Sequence, residues 1–382
     1  MPDIDKQTVL ARLGGIRGPD DDRDIVRRGM VSDIVIANGQ VMFSITVPTE
    51  RAAAYEPMRQ AAETAVKAIP GVSGAMVVLT AERKAGNKPA GAPPGAAPAG
   101  RGQAPDFGQR PAAQPAKAGV PGVGAIVAVA SGKGGVGKST CAVNLALALK
   151  ANGLSVGILD ADIYGPSLPR LLHLSGRPEV ADGRTLKPME AYGIKAMSMG
   201  FLVEEDTPMI WRGPMVVSAL QQMLREVAWG ELDVLIVDMP PGTGDAQLTM
   251  AQTVPLAGAV IVSTPQDLAL IDARKGLNMF RRVDVPVLGI IENMSYFVAP
   301  DTGKRYDIFG HGGARAEAER LATPFLGEVP LDMAIRETSD AGTPIVVSEP
   351  NGPHARSFRD IATKVWAGVA ESHREAPSFI IE

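Results

Sequence analysis

Beyond residue 124 the chain alternates short apolar runs, each stopping at a polar residue, with longer helical stretches. Ala125-Ile126-Val127-Ala128-Val129-Ala130, Val156-Gly157-Ile158-Leu159, Val234-Leu235-Ile236-Val237, Ala259-Val260-Ile261-Val262 and Val287-Leu288-Gly289-Ile290-Ile291 show no polar alternation. Such runs predict strands covered on both faces, as in a parallel sheet. The first leads into a glycine-rich loop; the others stop at Asp160, Asp238, Ser263-Thr264-Pro265 and Glu292-Asn293. Ala142, Leu145, Ala146 and Leu149 recur at helical spacing after that loop. Polar residues therefore collect at strand carboxyl ends, where open α/β sheets take their ligands.

The first part of the chain patterns differently. Residues 8–13 predict a short helix, and residues 31–36 alternate as a strand. Asn38-Gly39 is a hairpin-turn signal, and residues 41–47 return as a second strand. Residues 50–68 repeat apolar positions at Ala52, Tyr55, Met58, Ala62 and Val66, with Thr49 as the expected N-cap and Pro57 awkward in the first turns. Residues 74–79 close the set as a third strand. Between the two patterns lies a stretch of Ala, Pro and Gly that buries too little apolar surface to offset its ordering entropy. The expected organisation is a small α+β domain at 1–83, a flexible linker at 84–123, and an α/β domain at 124–382 whose mostly parallel sheet is flanked by helices.

Composition narrows the classes. An apolar share of 45% with 21% charged residues fits a globular chain with a large core, and 382 residues allow two or three domains. A net charge of -4 gives no basic surface for nucleic acid. The polar start is unlike a signal peptide, and no apolar run nears the roughly 18 residues of a membrane span. One cysteine, Cys141, rules out an internal disulfide and fits a reducing cytoplasm. A cytoplasmic protein with no nucleic-acid or membrane partner is expected.

The glycine-rich loop carries the strongest chemistry. Gly132-Lys133-Gly134-Gly135-Val136-Gly137-Lys138-Ser139 is a phosphate-binding loop of the form G-x-x-x-x-G-K-[ST], and Thr140 extends the expected nucleotide contacts. Its backbone N–H groups would surround the phosphates of ATP, Lys138 would reach the β- and γ-phosphate oxygens, and the Ser139 hydroxyl would ligate Mg²⁺. Asp238, at the end of an apolar strand, sits where a carboxylate holds Mg²⁺ directly or through water. Gly242 and Gly244 after it suit a switch loop. Asp162, in Asp160-Ala161-Asp162, is the expected residue orienting or deprotonating the attacking water. Lys133 is a second cation for charge on the transferred phosphoryl group. Asn293 offers a carboxamide to the adenine edge, and Pro330-Leu331-Asp332 a second base-contacting turn.

Taken together, Lys133–Ser139 and Asp160-Ala161-Asp162-Ile163-Tyr164-Gly165-Pro166-Ser167 resemble the deviant Walker A ATPases. Trp211-Arg212-Gly213-Pro214-Met215, Asp238-Met239-Pro240-Pro241-Gly242-Thr243-Gly244-Asp245 and Glu292-Asn293-Met294-Ser295-Tyr296-Phe297 narrow the resemblance to the Mrp/ApbC iron–sulfur cluster carriers. The resemblance runs over about residues 125–369 and, more weakly, over the first module. It implies an ATP-hydrolysing homodimer in which Lys133 crosses to the partner's nucleotide, and a [4Fe–4S] cluster held at the dimer interface and passed to apoprotein clients.

One segment departs from that family. Members typically carry Cys-x-x-Cys shortly after Asn-Met-Ser-Tyr-Phe, but here Ala299 and Thr302 stand at those positions. Four thiolates usually hold such a cluster. Cys141, in the helix after the phosphate loop, reads as a small buried hydrophobe. Asp301, Tyr306, His311 and His354 offer other ligand atoms without supporting spacing. Three functions therefore compete: an ATPase of cluster assembly without its own thiolates, an ATP-dependent spatial organiser like ParA and MinD, and a non-catalytic nucleotide-gated adaptor. The proline-broken, non-basic end, residues 372–382, disfavours a membrane anchor.

Overall fold

The computed structural model describes residues 5–18, 23–32, 34–37, 39–48, 54–72, 74–82, 119–182, 185–202 and 213–374. Thr49, residues 84–118 of the expected linker, Trp211-Arg212 and residues 375–382 lie outside the described residues. Contacts between Cα atoms divide the chain into two compact units, which are taken separately.

The N-terminal part holds helices α1 (Lys6–Leu13) and α2 (Glu56–Lys67) and a three-stranded sheet in the order β1 (Val35–Ala37), β2 (Gln40–Pro48), β3 (Gly74–Glu82). Asp5 caps α1 by accepting from the Thr8 N–H at 2.7 Å. The expected strand at 31–36 shortens to β1, with Val31 joined to Ile45 only by an isolated bridge. The expected helix at 50–68 begins at Glu56 instead, because Pro57 fits the first turn and not an interior. Val9, Leu13, Phe43, Ile45, Tyr55, Ala62 and Val66 are buried in this part. So is Arg59, which meets Glu63 at 2.7 Å and the Val77 carbonyl at 3.1 Å.

The second unit is built on a single eight-stranded sheet. Its strands are β4 (Val123–Ala130), β5 (Val156–Asp160), β8 (Met189–Ala191), β9 (Ile194–Ser198), β10 (Leu232–Asp238), β11 (Gly258–Ser263), β12 (Val287–Glu292) and β15 (Phe325–Glu328). Two small hairpins accompany it: β6 (Val180–Asp182) with β7 (Thr185–Leu186), and β13 (Phe297–Val298) with β14 (Arg305–Tyr306). The order across the main sheet is β15-β12-β11-β4-β10-β5-β9-β8. Every pairing in it is parallel except β8 with β9 at one edge. The apolar runs form the central strands because each buries side chains on both faces, as β5 and β11 do along their whole length. This is the mostly parallel, helix-flanked sheet expected from the pattern.

The helices of this unit are α3 (Lys138–Ala151), α4 (Leu168–Leu171), α5 (Gly213–Arg225), α6 (Asp245–Thr253), α7 (Asp267–Arg282), α8 (Gly313–Arg320), α9 (Met333–Asp340), α10 (Ile345–Ser348) and α11 (Pro353–Arg374). The sequence predicts one apolar stripe on α3; the structure buries it on every side. Val143, Leu147 and Ala148 are as buried as the expected stripe because α3 touches β4, β5 and β10 on one side and α10 and α11 on the other.

Candidate functional site

The sheet order creates the site. β4 lies between β11 and β10, while the chain leaving β4 through α3 returns at β5, beyond β10. Strand order therefore reverses at β4, and the crevice at its carboxyl end is where doubly wound sheets bind ligands. Register brings the strand ends level: Asp238 lies beside Val129 on one side and Asp160 on the other.

The loop leaving β4 joins α3 through Gly137, whose φ is 76°, and no side chain caps that helix. Gly135 has φ 83° and open space where a Cβ would stand. An uncapped helix N-terminus beneath a loop of left-handed glycines presents unpaired N–H groups to an anion. Gly132 has a different reason to be glycine. A Cβ there would overlap the backbone of Asp272 and Ala273 in α7. Tight packing of α7 against the loop, rather than a phosphate, excludes a side chain at that position.

Lys138 and Asp238 meet in the floor of the crevice. The Lys138 ammonium donates to Asp238 Oδ1, with side-chain exposures of 6% and 0%, and lies 3.3 Å from Ser139 Oγ. Among the described residues the other carboxylate oxygen, Asp238 Oδ2, is buried without a hydrogen-bond partner. Hard oxygen donors, one of them unsatisfied and facing no protein donor, suit Mg²⁺ or its bound water. The residues fit the ion: Ser139 Oγ and Asp238 would hold it, and it would neutralise phosphate charge.

The neighbouring acidic pair separates into two roles. Asp160 is 1% exposed and accepts four hydrogen bonds: from the backbone of Asp162 at 3.0 Å, Ser167 at 2.9 Å and Leu168 at 3.1 Å, and from Ser198 Oγ at 3.2 Å. It clamps the segment that carries Asp162. Burial, reinforced by the Asp238 charge, pushes its carboxyl up to about 7. Asp162 is half-buried and accepts from the Gly165 N–H at 3.3 Å. Burial raises its carboxyl too, against the pull of Lys138. Among the described residues the Lys133 ammonium has no hydrogen-bonding or ionic partner, while its carbonyl accepts from Ser131 Oγ at 2.8 Å.

Asn293 joins the site from the end of β12. Its Nδ2 donates to the Val136 carbonyl at 2.8 Å, its own N–H goes to the Ser263 carbonyl at 2.8 Å, and it fills the space where Gly137 lacks a Cβ. The carboxamide braces the phosphate loop. Pro330-Leu331-Asp332 is turned to other work: Asp332 caps α9 through the Ala334 N–H at 2.8 Å and faces His354 at 3.3 Å. Two polar residues near the site were given no role by the sequence. Glu292, fully buried, accepts from Ser295 Oγ and from the Ala314 N–H, both at 2.6 Å, and so caps α8. Gln247 is buried behind Pro240. A carboxylate ending an apolar strand was the available signal for Glu292; Gln247 had none.

Ala299 and Thr302 lie at the turn of the β13–β14 hairpin, where the Ala299 N–H donates to the Lys304 carbonyl at 2.9 Å and the Gly303 N–H to the Ala299 carbonyl at 2.8 Å. His311 contacts Arg305 at 2.8 Å. Among the described residues no three of His, Cys, Asp and Glu gather as a metal-holding group. Cys141 is 1% exposed and its thiol is pushed up to about 12 by burial, as a core hydrophobe requires. No helix among the described residues is long and apolar enough to cross a membrane.

Comparison with known proteins agrees with this geometry. The family described as "NUBPL iron-transfer P-loop NTPase" matches residues 122–366, and the family "Iron-sulfur cluster assembly protein" matches residues 6–77. An iron-sulfur cluster carrier protein of Synechocystis is 45% identical over 95% of this chain and 97% of its own. The mouse iron-sulfur cluster transfer protein NUBPL is 56% identical over 64% of this chain and 78% of its own. Among solved structures, a nucleotide-binding protein from Archaeoglobus fulgidus in complex with ADP aligns with a TM-score of 0.54 and 42% identity, covering 62% of this chain and 92% of that one. The first family spans well over half of the chain and the Synechocystis protein nearly all of it, so the chain belongs to the NUBPL iron-transfer P-loop NTPases, the Mrp/ApbC group that its motifs resemble.

Proposed function

We propose that the protein binds and hydrolyses Mg·ATP and uses the cycle to pass iron–sulfur clusters to apoproteins, working as a homodimer. The observation that carries the reading is the buried Lys138–Asp238 pair beneath an uncapped glycine cradle. A buried ammonium and carboxylate with one orphaned oxygen make a poor structural element, because such a pair seldom stabilises a fold beyond what apolar residues would. They make sense as a resting state. With phosphates bound, Lys138 would turn to them and Asp238, freed of that contact, would with Ser139 be available to hold Mg²⁺, which would offset phosphate charge. Asp162 orients the attacking water on the segment that Asp160 clamps, and Lys133 serves the transferred phosphoryl group on its own or the facing subunit. Asn293 holds the Val136 carbonyl so that the loop stays shaped between turnovers.

The cluster is cargo in this reading. The chain has one cysteine, buried in α3, so cluster thiolates come from the client or another assembly protein. The names of its relatives favour cluster transfer over the spatial organiser and the adaptor. Phosphate release by the full chain tests the enzyme. Lys138→Ala is expected to reduce it on the order of 100-fold. Wild-type protein that binds Mg·ATP and releases no phosphate would leave only the adaptor.

A further inference from the structure

Gln247 is a buried polar side chain next to the site that the reading above does not use. It is 2% exposed and stands third in α6, after the Gly244 N-cap. A Gln there ordinarily reaches back with its oxygen to the N-cap backbone N–H. Here it does the reverse. Its Nε2 donates to the Pro240 carbonyl, seven residues back and two beyond Asp238. A carbonyl accepts only from a donor, so the amide orientation is fixed by this contact. Among the described residues Oε1 is then left buried with no partner.

The segment it holds is short of ties. Pro240 and Pro241 have no N–H to donate. The Met239 N–H reaches the Val129 carbonyl at 2.9 Å, and the Gly242 N–H, at φ 96°, reaches the Ser131 carbonyl at 3.1 Å. Both are bonds to β4 and the start of the phosphate loop. Gln247 supplies the bond from the other side, out of α6. Two buried acceptors without donors, Asp238 Oδ2 and Gln247 Oε1, thus bracket one glycine- and proline-rich loop. Buried acceptors without donors are uncommon, and each needs a reason, a bound water or ion or a role in function among them.

We infer that Gln247 is a positioning residue for ATP hydrolysis, tying the Asp238–Gly244 segment to α6 and offering its free oxygen to a donor that the nucleotide-bound loop brings in. It touches neither phosphate nor metal; it acts through the Pro240 carbonyl. The inference rests on the ATPase reading above. Gln247→Glu removes the donor and keeps the shape, whereas Gln247→Met removes both polar ends at similar volume.

The test uses the full chain, with phosphate release, Mg·ADP calorimetry, and hydrogen exchange of peptides covering residues 239–253 under ADP and under a non-hydrolysable ATP analogue. Both variants are expected to lose about 10- to 100-fold in kcat with Mg·ADP affinity unchanged. The exchange difference between the two nucleotides is expected to vanish in these peptides. Wild-type kcat in both variants would overturn the inference. So would a parallel loss of kcat and Mg·ADP affinity with a lowered melting temperature, since a packing role alone predicts that. Should a variant fail to fold, the exchange difference in wild-type protein still decides: none across residues 239–253 would overturn it. A silent wild type beside a silent Lys138→Ala would instead remove the ATPase reading.

Discussion

Replacing Asp160 with Asn removes one buried ionisation while keeping the side-chain shape. Burial, with the Asp238 charge behind it, moves this carboxyl from 3.8 up to about 7 against the hydrogen bonds from Leu168, Asp162 and Ser167. The native state therefore holds its proton to higher pH than the unfolded chain does. The associated stability is full below the unfolded value and is lost as pH rises through the folded one. Each tenfold change in proton affinity is worth about 1.4 kcal/mol, so the ionised form costs about 4 kcal/mol at alkaline pH. About 2–3 kcal/mol of that should disappear between about pH 5 and pH 8. The asparagine would not titrate, but it would turn an amide toward N–H groups that Asp160 now accepts from, costing about 1–3 kcal/mol. The Asp160→Asn variant should thus be less stable than wild type at acid pH and close the gap as pH rises. Urea unfolding without nucleotide or Mg²⁺, followed by tryptophan fluorescence, measures this in the right part of the chain. Trp229 and Trp366 are described in the second unit. Unfolding free energies that change in parallel for the two proteins across the range would refute the reasoning.

Three further outcomes follow from particular contacts. Gly132→Ala should cost about 1–3 kcal/mol, read by the same unfolding assay, because its Cβ meets the α7 backbone; an unchanged midpoint would contradict that packing. Cys141 should resist a thiol reagent in native protein and react only on unfolding, since burial holds the thiol up to about 12; rapid native labelling would count against it. Wild-type protein reconstituted anaerobically should take up little iron, whereas Ala299→Cys with Thr302→Cys should gain iron, sulfide and visible absorption. Equal iron in both would show that the hairpin turn is not where thiolates matter.

Local pattern made much of this protein legible. Short apolar runs without alternation, each ending at a polar residue and separated by helical stretches, fit strands covered on both faces, so the parallel sheet was legible in residues 125–130, 156–159, 234–237, 259–262 and 287–291. The phosphate loop is likewise a local object: its glycines, Lys138 and Ser139 are consecutive, and backbone conformation brings them together. The short-range reading faltered where a terminus depends on capping and proline, as in the helix that starts at Glu56.

Contacts across long sequence distances were decided by tertiary structure. Lys138 and Asp238 pair across 100 residues, and Asn293 reaches Val136 across 157. No periodicity encodes either, because each depends on which strand lies beside which. The sheet order sets Asp160 level with Asp238 and so makes it a buried clamp, while Asp162 stays half-buried. The same packing makes Gly132 a seat for α7 and encloses α3 on all sides. Sequence named the chemical groups; the order of strands determined which of them are desolvated and which neighbours they meet.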